Sequence, residues 1–96
     1  MNYSFHHEAE AEFELAVEFY EECEPGLGEA FSEEIIAAIE RILRFPESWP
    51  KYTHRSRRCL CNRFPFSLVY RVQKNEIMIY AVMHQKRKPG YWKDRR

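Results

Sequence analysis

At 96 residues the chain has room for one domain with one core, residues 1–96. An odd count of three cysteines, no basic-then-apolar leader and no apolar run near the roughly 20 residues of a membrane span predict a reduced, cytoplasmic, disulfide-free protein without a membrane segment. Its zero net charge is the sum of opposed halves: residues 1–50 hold thirteen Glu against Arg41 and Arg44, while residues 51–96 hold thirteen Lys or Arg against Glu76 and Asp94. An asymmetry of that size points to an acidic or polyanionic partner for the basic half, or to acidic helices packed over a basic sheet.

Tyr3, Ser4 and Phe5 alternate as a short strand would. Over residues 8–22, Ala9, Phe13, Ala16, Val17 and Tyr20 recur at helical spacing, with Glu10, Glu14, Glu18 and Glu21 opposite, which predicts an amphipathic helix with a solvated acidic back. Pro25, Gly26 and Gly28 reverse the chain. A second helix starts near Glu29, buries Phe31, Ile35, Ala38, Ile39 and Ile42, and stops at Pro46. So short a connection makes the pair an antiparallel αα-hairpin.

Beyond residue 50 the apolar period changes from 3.6 to 2. Residues 58–63, 67–73 and 76–84 read as three consecutive antiparallel strands, the last two joined by a Lys74-Asn75 hairpin turn. In the third, Ile77, Ile79, Ala81 and Met83 fall on one face and Met78, Tyr80 and Val82 on the other, so both faces need cover. One is covered by the helices, and the tail is the candidate within the chain for the second. The fold class is α+β, an antiparallel sheet against an N-terminal αα-hairpin in the order β-α-α-β-β-β.

No glycine-rich phosphate loop or nucleophile elbow is present. Cys59 and Cys61 with His54 or His84 lack a fourth ligand at fixed spacing, so no metal site is assigned, and nothing calls for a cofactor. Arg58, Arg63 and Arg71 on neighbouring strands, followed by Lys86, Arg87 and Lys88, converge as a set suited to phosphate oxygens. Tyr91 and Trp92 suit stacking on unpaired bases, or anchoring of the cationic tail that runs to Arg96. Were RNA cleaved, His84 or Tyr91 would move protons while Arg58 and Arg87 stabilise charge.

Residues 19–31 (FYEECEPGLGEAF), 45–50 (FPESWP), the pair Arg57-Arg58, residues 64–72 (FPFSLVYRV) and 81–95 (AVMHQKRKPGYWKDR) together resemble the RelE/ParE superfamily of type II toxin-antitoxin toxins. The resemblance spans nearly the whole chain. It implies growth arrest, a role in plasmid stabilisation, and a cognate antitoxin that wraps the toxin. An antitoxin segment over the basic face would account for an apolar second face. RelE-like members cut mRNA on the ribosome; ParE-like members poison DNA gyrase. Arg87 and Arg58 match basic positions of the nucleases, but Ser67 stands just before Leu68-Val69-Tyr70, where those enzymes tend to carry an arginine. His84-Gln85 followed by Arg87 resembles the gyrase-directed branch. The expectation is therefore a gyrase-directed, non-catalytic toxin ahead of a ribosome-dependent endoribonuclease, with a non-toxic protein- or RNA-binding module as the third reading.

Overall fold

The computed structural model describes residues 1–95; Arg96, the last residue of the cationic tail, lies outside them. The elements are β1 (Asn2–Phe5), α1 (His7–Cys23), α2 (Leu27–Arg44), β2 (Lys51–Thr53), β3 (Ser56–Leu60), β4 (Phe66–Gln73) and β5 (Glu76–His84). They form one five-stranded sheet in the order β1-β5-β4-β3-β2.

The helical hairpin and the β3-β4-β5 meander follow the periodicities of the sequence. Lys74 and Asn75 both have positive φ, 47° and 62°, as the tightest hairpin turn requires. Three features differ from expectation. The sheet is mixed, because β1 pairs parallel with β5, Tyr3 opposite Ile77. A three-residue strand, β2, adds an edge beside β3. The first meander strand ends at Leu60, so Arg63 lies in the following loop, not in the sheet.

A bulge redistributes β5. Val69 faces Ala81 and Tyr70 faces Ile79, which leaves Tyr80 as an extra residue. Because side chains alternate with period 2, one inserted residue reverses every position after it. Ile77, Ile79 and Val82 therefore join the helix-facing core, while Met78, Tyr80, Ala81 and Met83 face the other way. The two-face division expected from strict alternation is corrected for Ala81, Val82 and Met83.

The main core lies between helices and sheet: Phe31, Ile35, Ile39 and Ile42 of α2 pack on Leu68, Tyr70, Ile77 and Ile79. The opposite sheet face carries a smaller cluster of Val69, Tyr80, Ala81, Met83 and Trp92. The chain's own tail covers that face, so it does not wait for an antitoxin.

Several glutamates do more than solvate the helices. The Glu21 carboxylate accepts from the N–H groups of Gly26 and Gly28, so α1 caps the start of α2. A Cβ at Gly28 would lie 2.7 Å from the Val17 carbonyl, so only glycine allows that approach. The Glu34 carboxylate holds the N–H groups of Asn62 and Arg63 in the β3–β4 loop.

Candidate functional site

The tail reaches the second sheet face as a row of alternating cations and rings. The Arg58 guanidinium lies 4.3 Å from the Tyr52 ring centre. Tyr52 stacks on Trp92 at 5.2 Å and 17°, and Trp92 meets Tyr91 edge to face at 5.4 Å. Arg87 covers Tyr91 at 3.5 Å, with Arg95 at 5.0 Å. Each cation over a ring contributes about 0.5–1 kcal/mol where solvent remains close. The row fastens the tail to the sheet.

Gly90 makes the turn into this row with φ 95°, a conformation that side chains disfavour. The sequence Pro89-Gly90 thereby sends Tyr91 and Trp92 back over the strands. Trp92 is 2% exposed and its ring is occupied by Tyr52, so its role in this structure is packing. The Tyr91 phenol is raised above its usual range by burial first, then by the adjacent Glu12 carboxylate. Such a phenol gives up its proton poorly at neutral pH.

Glu12 of α1 organises the far end of the row. Its carboxylate accepts from the Val82 N–H at 3.0 Å, just past the bulge. Arg95 donates to both of its oxygens at 2.9 Å, and Arg87 reaches it at 3.4 Å. Arg95 also donates to the Tyr80 carbonyl at 2.8 Å. All ion pairs among the described residues run from Glu8 or Glu12 of α1 to Arg87 or Arg95. Acidic helix and basic tail thus neutralise one another at this seam, and most other cations have no carboxylate partner.

The residues expected to form one basic surface divide into groups. Arg58 and Arg71 share the tail-covered face, Arg71 lying 4.5 Å from the Tyr80 ring. Arg87 and Tyr91 sit together at the α1 edge. Lys86 and Lys88 are exposed in the turn after β5. Arg63 stands apart on the β3–β4 loop beside Phe64. His84 packs edge to face on Phe66 at 5.4 Å, and its Nδ1 accepts from the Lys86 N–H. Arg58 and Arg87 are separated by the width of three rings. Ser67 is fully buried, and its hydroxyl has no hydrogen-bond partner.

Sequence reasoning passed over a groove beside this seam. It has a volume of about 410 Å³ and is walled by Leu15, Phe19, Phe66 and Val82, with Glu12, His84 and Arg87 at its polar rim. Leu15 is 65% exposed and Phe19 61%, although both are large and apolar. The available signal was their place off the buried stripe of α1. A groove with apolar walls and a charged rim suits the apolar face of an amphipathic helix.

Cys59 and Cys61 are buried, and the Cys61 thiol is pushed up to about 12, chiefly by burial and then by Glu34 and Cys59. Neutral thiols are poor metal ligands. The metal-type cluster among the described residues is instead His6, His7 and Glu8, whose ligand atoms lie within 4.8 Å. There His6 Nδ1 already accepts from the Glu8 N–H and caps α1.

Residues 3–89 match a family model described as ParE toxin of type II toxin-antitoxin system, parDE. A solved structure of the chromosomal ParDE TA system from P. aeruginosa is similar in fold, with a TM-score of 0.77 and 19% sequence identity. The match covers 88% of this chain and 95% of that one. No curated protein matches the chain.

Proposed function

The chain belongs to the ParE toxin family of type II toxin-antitoxin systems, and from that premise we propose that it arrests growth by acting on DNA gyrase, without catalysis of its own. The observation that carries this reading is the commitment of Arg87. It reaches Glu12 at 3.4 Å and lies over Tyr91, whose phenol burial holds protonated, so the pair is poorly set for proton transfer, while the half-exposed guanidinium can still meet a target. The buried Ser67, where RelE-like nucleases tend to place an arginine, supports the same conclusion. Glu12, His84 and Arg87 do share the groove rim, but the Glu12 carboxylate is occupied by Arg95 and the Val82 N–H, and His84 Nδ1 by the Lys86 N–H.

Arg58, Arg71, Lys86, Arg87 and Lys88 remain the candidates for contact with the target, in two groups at the two ends of the aromatic row. Arg63 would act from a separate side. Tyr91 and Trp92 hold the groups in place. Such a toxin acts in the cytoplasm, and no helix among the described residues is long and apolar enough to cross a membrane.

The antitoxin's seat in this reading is the groove between α1 and the end of β5. Leu15 and Phe19 give an amphipathic antitoxin helix its apolar contact, and Arg87 and His84 at the rim meet its acidic side chains. Binding there would also cover Arg87, so the antitoxin would hide one of the two cationic groups.

Purified protein added to gyrase and relaxed plasmid tests the target. Loss of supercoiling with intact mRNA on programmed ribosomes is the expected result. Cleaved mRNA that disappears with Arg87→Ala would instead establish the nuclease reading. Unimpaired growth on induced expression would favour the non-toxic module.

A further inference from the structure

We infer that the open end of the sheet, away from the antitoxin groove, is a phosphate-binding cleft for the backbone of duplex DNA. The cleft has a volume of about 190 Å³ and is lined by Lys51, His54, Arg55, Arg57 and Arg71, with Glu47 as its one acid. A second hollow of about 290 Å³ shares His54, Arg55 and Arg71 and adds Lys93 from the tail. The two hollows meet at the β2–β3 turn, where His54, Arg55 and Arg71 line both, and together they are the channel.

Its cations outnumber its one acid, Glu47. None of these cations has a carboxylate partner among the described residues; the ion pairs are all at the α1 seam. Two of the guanidiniums are nevertheless fixed. Arg57 donates to the Trp49 carbonyl at 2.7 Å, and Arg71 is held over the Tyr80 ring. Positioned guanidinium groups with free N–H donors match phosphate oxygens, while flexible Lys51 and Lys93 add field at the ends.

The chemistry favours duplex over single-stranded nucleic acid. Recognition of unpaired bases needs rings with an open face. Of the rings that line the channel, Tyr70 and Trp92 are buried, and the exposed His54 imidazole is a single small ring, not a row of platforms. A channel of five cations with one small exposed ring suits the regularly spaced phosphates of a duplex better than a run of unpaired bases.

Its position leaves it open when the groove is filled. Phe66 lines the groove and Arg71 the channel, at opposite ends of β4 and roughly 17 Å apart at about 3.3 Å per residue. The inference does not rest on the gyrase reading. A protein that proves inactive on gyrase can still carry this cleft.

The test is fluorescence anisotropy of the full chain with a labelled 20-base-pair DNA across a salt series. The parent protein should bind, and Arg55→Gln with Arg71→Gln should weaken binding at least tenfold. The double variant should also flatten the plot of log affinity against log salt by roughly 2, since each phosphate contact contributes about 0.9. Lys86→Gln with Lys88→Gln, just after β5 at the Phe66 end of β4, should change both quantities less. Circular dichroism of each variant confirms the fold. Equal binding by parent and Arg55/Arg71 variant would overturn the cleft. Tighter binding of a single-stranded RNA of the same length, lost in that variant, would overturn the duplex assignment.

Discussion

Arg95 and Glu12 join the last turn of the tail to the middle of α1 through two parallel hydrogen bonds of 2.9 Å. The side chains are 8% and 14% exposed, so the pair is largely withdrawn from water. The carboxylate's hydrogen bonds hold the Arg95 guanidinium further above its already high range, against the opposing effect of burial. Removing one partner strands the other and costs more than the pair itself contributes. Glu12→Ala should therefore lower stability by about 3 kcal/mol, and Arg95→Ala by a similar amount. Urea unfolding of the two single variants and the double variant should give a coupling energy well above zero; simple additivity would refute the tether.

Trp92 is the centre of the second core. Trp92→Ala removes the ring beneath Tyr52 and opens the cluster of Val69, Tyr80 and Met83 to water. The expected loss is about 3–5 kcal/mol. Thermal unfolding measures the cost, and binding of a hydrophobic dye reports the exposed sheet face. A variant as stable as its parent would mean that the tail is only loosely applied.

Alkaline pH should destabilise the protein through its buried thiols and phenols, Cys61 and Tyr70 among them. Burial pushes Cys61 from 9.0 to about 12 and Tyr70 from 10.0 to about 12; Arg57 opposes the latter shift without reversing it. Below pH 9 both groups are protonated in either state. As pH rises from 9 toward 12, the unfolded chain releases protons that the folded chain retains, so stability falls over that window. Cys61→Ala should flatten the lower part of the decline. Tyr70→Phe should flatten the upper part, and by removing the 2.6 Å bond to the Pro46 carbonyl it should cost about 1 kcal/mol at neutral pH. A pH-stability profile that is unchanged in both variants would exclude these groups as its cause.

A thiol reagent at neutral pH should modify Cys23 alone. That cysteine is exposed at the end of α1, whereas burial raises the pKa of both Cys59 and Cys61 and shields them. One thiol per folded chain and three per unfolded chain is the expected titration. A second fast thiol in the native protein would show that the β3 end opens readily.

The expectations that succeeded were those resting on periodicity within a segment. The stripe from Phe31 to Ile42 and the runs after Ser67 each specify a face locally, so helix and strand follow from neighbours in sequence. What escaped depended on distant partners. Asn2–Phe5 lies parallel to β5 through pairing with residues more than seventy positions away, and no local pattern encodes that direction. The bulge at Tyr80 looks like unbroken alternation until Val69 and Tyr70 fix the register. Alternation over residues 58–63 places Arg63 in a strand, whereas the strand ends at Leu60 and the Glu34 carboxylate holds the backbone N–H groups of Asn62 and Arg63. The tail carried its own ambiguity: Tyr91 and Trp92 read equally as base platforms or anchors, and the ring of Tyr52 decides for Trp92. The family match stops at residue 89, so the anchoring residues Tyr91, Trp92 and Arg95 lie beyond it.

The apolar residues that periodicity left over, Leu15 and Phe19, give the sharpest test of the antitoxin seat. Both are on α1 one turn apart and project into the groove, where Phe66 and Val82 form the wall behind them. Since water already reaches them, Leu15→Gln and Phe19→Gln should each change stability by no more than about 0.5 kcal/mol. In a helix-in-groove complex the same positions would be central anchors, each costing about 2 kcal/mol or more when truncated, roughly a 30-fold loss of affinity. Calorimetry of each variant with the cognate antitoxin measures that loss, with Arg55→Gln as a comparison that should bind normally. Because Arg87 lies on the groove rim, Arg87→Ala should weaken binding less than either apolar change and make it less sensitive to salt. Undiminished affinity in both glutamine variants would move the antitoxin to another surface and leave Leu15 and Phe19 exposed for some other contact.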